Sequence, residues 1–321
     1  MLIRLEANFI PKCVMTLRPE NVRSNVLPAG ITGKFFQFPL VHMLIAILML
    51  SCILLGMDYL LVLFPDSNFS EPFSTYVRYG KYVLTIVAVF CAYKLYIFLF
   101  EKRPAYELSF SRYLPETITG FIVGAGMITL SVIILIIPGY YKIDGFNSIV
   151  SLTDGLFLFA AAAFFEEVLF RLIIFKLVEE FAGSWLSIIV SALLFGFAHI
   201  FNDNATLWSA TAIAIEAGVL LAVAFMLTRR IWFVFGIHFG WNFLQASVFG
   251  ITTSGNTFDG LISPEISGPN WITGGTFGIE ASLITLVIGL IAALILLRMV
   301  IKDGQVVYPV WSRRKEAEIF Y

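Results

Sequence analysis

Apolar residues run along this chain in blocks of roughly twenty, the length a helix needs to cross a hydrocarbon core about 30 Å thick. The blocks predict eight spans, near residues 39–64, 82–100, 118–138, 153–178, 185–201, 206–228, 231–250 and 278–299. Turn formers punctuate them. Pro39 opens the first and Pro65 closes it, Pro138-Gly139 ends the third, and Gly183-Ser184 separates the fourth from the fifth. Very short connections join spans five to seven, which are expected to pack as antiparallel neighbours. The expected fold is all-α, a polytopic transmembrane helix bundle. It divides into a tail (1–38), N-terminal spans and loops (39–117), a core (118–250), a long loop (251–277) and a last span with its tail (278–321).

Charge suggests an orientation. Lys and Arg gather in the first 38 residues, in 94–112, at Lys176, at Arg229-Arg230 and in 302–315. The alternate connections are poor in them: 139–152 carries Lys142 alone, and 201–206 and 251–277 carry none. The 65–81 loop, with Arg78 and Lys81, fits least well. The positive-inside rule then places both termini in the cytoplasm, which needs an even number of spans. The N-terminal tail has no apolar h-region or cleavage site and reads as a cytoplasmic tail, with Met15 an alternative start. The Gly-, Ser- and Thr-rich 251–277 loop faces outside, either as a cap over the outer mouth or as a disordered surface loop.

Composition narrows the class. Of 321 residues 59% are hydrophobic and only 13% charged, with mean hydropathy +0.88. A soluble domain carries about 25% charged residues. The expected partner is therefore a lipid bilayer, and a net charge of −1 gives no pull toward nucleic acid. The three cysteines indicate no disulfide framework; Cys52 and Cys91 lie in apolar blocks and read as packing residues.

Polar side chains inside the apolar blocks are the candidate chemistry. Glu166, Glu167 and Arg171 share one block, His199 ends another, and His238 and Asn242 lie in a third. Charged groups at the centre of a membrane helix cost several kcal/mol unless paired or hydrated. Two of the chain's three histidines fall in this set. Counting about 1.5 Å per residue from the basic ends puts all of them in the middle third of the bilayer.

Glu167 and Arg171, four apart, share a helix face and are expected to fix the bundle as an ion pair. Glu166 is turned by about 100° from Glu167 and is expected to lack such a partner and stay titratable. His238 and Asn242, also four apart, offer two donors to one point, as an oxyanion requires. The reaction that fits is peptide hydrolysis: Glu166, helped by His199, takes a proton from water, and His238 with Asn242 holds the tetrahedral oxyanion. No serine or cysteine is placed as a nucleophile. Zinc is disfavoured because HExxH is absent and the ligands would come from three helices, so no cofactor is expected. Phe195, Trp232 and Trp241 read as packing aromatics, His42 as interfacial, and Asp58 and Lys94 as span-end residues. Glu216 is a further acid that would pair with Arg171, line an entry path or mark a misjudged span end.

Three motifs in order carry a family resemblance: EExxxR at Glu166-Glu167 to Arg171, FxxxH at Phe195 to His199, and HxxxN at His238 to Asn242. The chain resembles the CPBP family, the type II CAAX prenyl proteases and bacteriocin-processing relatives often labelled Abi, over about 118–250. The resemblance implies a glutamate-dependent intramembrane endopeptidase acting on a membrane-associated protein or peptide, CAAX-type or leader-peptide among them. It makes Glu166 the base aided by His199, His238 and Asn242 the oxyanion hole, and Glu167 and Arg171 support. Leu172 stands where a glycine often follows the motif's arginine.

Two other classes stay open on the sequence. One is a non-catalytic membrane regulator or scaffold binding a sensor kinase or peptide. The other is a proton-coupled transporter, against which the lack of repeated halves counts.

Overall fold

In lipid every backbone N–H and C=O must find its partner within the segment, so apolar blocks of this length fold as helices. The computed structural model of the protein describes residues 39–62, 65 and 70–312. Expectations for the 1–38 tail, for Cys13, for the Asp58 side chain and for the cations beyond residue 312 fall outside them. The described chain is mostly helical. In order it forms α1 (Pro39–Val62), α2 (Phe73–Tyr96), α3 (Tyr113–Ile136), α4 (Val150–Glu167) and α5 (Lys176–Ala198). After them come α6 (Leu207–Ile213), α7 (Val219–Thr228), α8 (Ile231–Asn242), the short α9 (Asn270–Thr273) and α10 (Leu283–Lys302). Four π segments continue helices: Ile97–Glu101 after α2, Val168–Phe175 between α4 and α5, Ala214–Gly218 between α6 and α7, and Phe243–Val248 after α8.

Among the described residues, five stretches are long and apolar enough to cross a membrane: Pro39–Gly56, Phe73–Glu101, Tyr106–Ile136, Leu207–Thr228 and Leu283–Lys302. The helices of 150–201 and 231–248, which carry the polar motifs, fall outside that set. The second span starts earlier than expected, at Phe73 rather than 82. Gly183, at φ 79, makes the expected break between spans four and five.

Helix α8 sits at the centre of the bundle, and glycine lets it approach α3 closely. A Cβ on Gly124 would lie 2.0 Å from the Ile237 carbonyl, and one on Gly236 2.4 Å from the Thr117 carbonyl. Gly120 and Gly240 complete this two-sided seam, the small-xxx-small packing through which membrane helices associate. It fixes α8 in position, and His238 with it.

Charges close one end of the bundle. Lys176 bonds Glu101 and lies 3.5 Å from Glu107, which also takes Arg103 at 2.5 Å. Arg229 bonds Glu179 and the Gln305 carbonyl, and Arg230 bonds Glu116. Of the cations behind the orientation argument, Arg103, Lys176, Arg229 and Arg230 are thus buried in ion pairs, while Lys94, Lys102 and Lys302 are exposed. His42 is likewise buried, against the interfacial expectation; its Nδ1 lies 3.2 Å from the Tyr96 hydroxyl. Cys52 and Cys91 are exposed helix residues, where packing positions were expected.

The 251–277 loop is a packed cap at the opposite end; the disordered alternative does not hold. Its strand β2 (Ile262–Ile266) pairs antiparallel with β1 (Tyr141–Phe146), with a register shift between Ile143 and Gly145. The Tyr141 hydroxyl donates to the Phe249 carbonyl at 2.8 Å, and burial pushes that phenol up to about 12. Asn202, after α5, donates to the Ser254 carbonyl at 2.8 Å and ties the cap to the helix that ends in His199.

Candidate active site

Glu166 and Glu167 end α4, where the backbone widens into the π segment carrying Arg171. Such π turns recur at functional sites because the extra residue re-aims the side chains. Here both acids sit just before the widening and face His238 of α8. Glu167 is fully buried and accepts from His238 Nδ1 at 2.8 Å. Its second oxygen lies 3.2 Å from Arg171 Nε, so the expected pair forms, though as a charge contact and not an aligned hydrogen bond. Arg171, also fully buried, stacks its guanidinium 4.6 Å from the Phe195 ring centre. Aromatic faces thus share the stabilisation of a charge that has no hydrogen-bonded partner among the described residues.

Glu166 departs in part from expectation. Its Oε2 is buried without a hydrogen-bond partner among the described residues, as foreseen, but it lies 3.9 Å from His238 Nε2. It therefore faces the same imidazole as Glu167. Glu166 is 23% exposed at its side chain, the most open member of the cluster.

His199 closes α5 in a 3-10 turn (His199–Phe201), at the helix end and not in its middle. Its Nδ1 lies 2.8 Å from the Phe195 carbonyl. A carbonyl cannot donate, so Nδ1 carries a proton, and in the neutral ring Nε2 keeps the lone pair. Phe195 stands between the histidines, with ring centres 5.1 Å from His199 and 5.8 Å from His238. It is the packing aromatic expected, and it also lines the cavity.

That cavity brings two of the motifs together. Its wall includes Phe195, His199, His238 and Asn242, and it gives about 30 Å³ to the centres of water molecules, enough for at least one. Asn242 keeps its amide free of side-chain partners among the described residues. Glu166 meets the site through His238 and is not itself on this wall.

Sequence reasoning missed three contributors. Glu280, in a turn ahead of α10, lines the cavity and accepts from the Ser254 backbone N–H at 2.5 Å. Burial pushes its carboxyl above the usual range, against the opposing pull of Ser254 and His199. Ser254 belongs to the cap loop and also lines the cavity. Gln245, three residues past Asn242, accepts from Trp241 Nε1 at 2.9 Å and donates to the Thr252 carbonyl at 2.8 Å, joining α8 to the cap. Only Gln245 left a signal, a lone amide in an apolar run. Glu216 is resolved as a cavity residue, on the π segment between α6 and α7, and does not pair with Arg171.

A model of the family described as type II CAAX prenyl endopeptidase Rce1-like matches residues 148–244. No curated protein and no solved structure matches the chain. The matched segment holds all three motifs, so the resemblance inferred from them is borne out there. With five stretches able to cross a bilayer, the chain is an integral membrane protein whose matched core resembles a protease family.

Proposed function

We propose that the protein is an intramembrane endopeptidase that hydrolyses a peptide bond with an activated water. The observation that carries this reading is His238, held between Glu166 and Glu167 and sharing one cavity with His199 and Asn242. Two carboxylates, one guanidinium and one imidazole meet there. The cluster is electrically balanced when His238 is protonated. With Nδ1 committed to Glu167, only that cation offers Nε2–H to the cavity, which is what an oxyanion donor must do.

Glu166 and the free Nε2 of His199 are the two acceptors for the water proton, and the Asn242 amide is the second oxyanion donor. When the tetrahedral intermediate collapses, the captured proton passes to the leaving amine. Glu167 keeps His238 oriented and charged, and Arg171 offsets the second oxygen of Glu167. No metal or cofactor takes part in this scheme. The fold we propose has eight spans with both termini cytoplasmic, in a bacterial plasma membrane, and the substrate is a membrane-associated protein or peptide, CAAX-type or leader-peptide among the choices.

Comparative proteomics of membranes carrying the wild type or Glu166→Gln tests this reading. A precursor that accumulates uncleaved in the variant supports it; identical peptide termini in both membranes contradict it.

A further inference from the structure

Beyond the motif residues, the cavity wall carries two more acids, Glu216 and Glu280. Glu280 is satisfied by the Ser254 amide. Glu216 is not: it is 1% exposed, and neither carboxylate oxygen has a hydrogen-bond partner among the described residues. Thr285, on the facing turn of α10, has its single hydroxyl proton directed to the Ile279 carbonyl at 2.8 Å.

Glu216 is nevertheless built in. The π segment Ala214–Gly218 sets its direction, and Gly289 makes room, since a Cβ there would sit 2.9 Å from the Glu216 Cβ. A buried carboxylate kept without a donor is costly. Such a group persists where something that visits the site supplies the missing donor. The visitor's charge follows from the groups around it. His238 already faces Glu166 and Glu167, so on the cavity wall two acids face the single remaining imidazole, His199. Around them the wall is apolar, with Ile213, Leu220 and Leu221. Apolar sides and carboxylates suit an alkyl stem with a cationic head.

We propose that Glu216, seconded by Glu280, is the specificity subsite of the cavity and takes a lysine or arginine side chain of the peptide substrate near its scissile bond. The inference rests on the endopeptidase reading and adds the substrate's chemical class to it. Glu216 touches the substrate and not the reacting water, so it governs which peptides are cut.

The test uses the full-length protein in liposomes with a synthetic library of palmitoylated peptides. Each position around a common core is varied among Lys, Arg, Gln, Leu and Glu, and cleavage is read by mass spectrometry. Wild type is expected to cut peptides with Lys or Arg at one fixed position about tenfold or more faster than the Gln and Leu versions, as a buried charge pair implies. In Glu216→Gln that ratio falls toward one. Should Glu216→Gln fail to elute as a folded protein, Glu280→Gln is expected to lower the same ratio.

A wild type without cationic preference overturns the subsite, and so does a variant in which all rates fall together with the ratio unchanged. Cleavage of no peptide by wild type, or normal cleavage by Glu166→Gln, contradicts the endopeptidase reading itself and takes the subsite with it.

Discussion

His238 gives its Nδ1 to Glu167 at 2.8 Å, and this contact joins helices that are 71 residues apart in the chain. It makes Glu167 more than half of an ion pair with Arg171. The carboxylate orients the imidazole with one oxygen and offsets the guanidinium with the other. The neighbouring acids therefore differ in setting: Glu167 is engaged by His238 and Arg171, and Glu166 is the more open of the two.

Glu167→Ala is expected to cost more stability than Glu166→Ala. Removing Glu167 leaves a fully buried Arg171 uncompensated, worth about 3–5 kcal/mol. Glu166 is partly open, and on its loss Glu167 still faces both Arg171 and His238. Thermal unfolding of both purified variants in detergent checks the order; equal losses would mean Glu167 does not hold Arg171.

Asn242→Ala is expected to slow turnover by about 10²–10³-fold with little change in KM, the mark of a donor used only in the transition state. A rise in KM with turnover intact would make Asn242 a substrate-binding residue.

Glu216→Leu is expected to raise the melting temperature by about 2–4 °C, because it removes a buried carboxylate that has no hydrogen-bond partner among the described residues. Differential scanning of the apoprotein measures it. A lower melting temperature would show that Glu216 is held by a donor within the fold.

Gly236→Ala tests the seam. Its Cβ would meet the Thr117 carbonyl at 2.4 Å, so α3 and α8 must part. The expected loss is about 1–3 kcal/mol of stability, with activity falling as His238 shifts. Wild-type stability in the variant would remove close backbone approach from the account.

Zinc chelators are expected to leave cleavage unchanged, since Glu167 is engaged by His238 and Arg171 and the His199 Nδ1 by a carbonyl. Chelator inhibition reversed by added zinc would favour a metal-bound water instead.

Much of the site was legible because polar groups in an apolar run have few structural excuses. Glu166, His199, His238 and Asn242 stood out on that ground alone, and i,i+4 spacing sufficed for the Glu167–Arg171 pair. Glu167 meeting His238 was not legible, since it depends on how α4 packs against α8, 71 residues away in the chain. Nor was the cap. Its strands are five or six residues long and irregular, interrupted by a register shift near Gly145 and by Pro264, which has no N–H to give the ladder. Glu280 and Ser254 reach the cavity only through that cap and its turns, so no local pattern could mark them. The charge pattern pointed to one basic end, but not to the burial of Lys176, Arg229 and Arg230 in ion pairs.

The most direct measurement is cleavage by the purified full-length protein in liposomes, comparing wild type with Glu166→Ala and His199→Ala under conditions where all three elute as folded, monodisperse proteins. The account predicts that wild type cuts a membrane-anchored peptide and that each substitution abolishes the cut. Normal cleavage by either variant would contradict it.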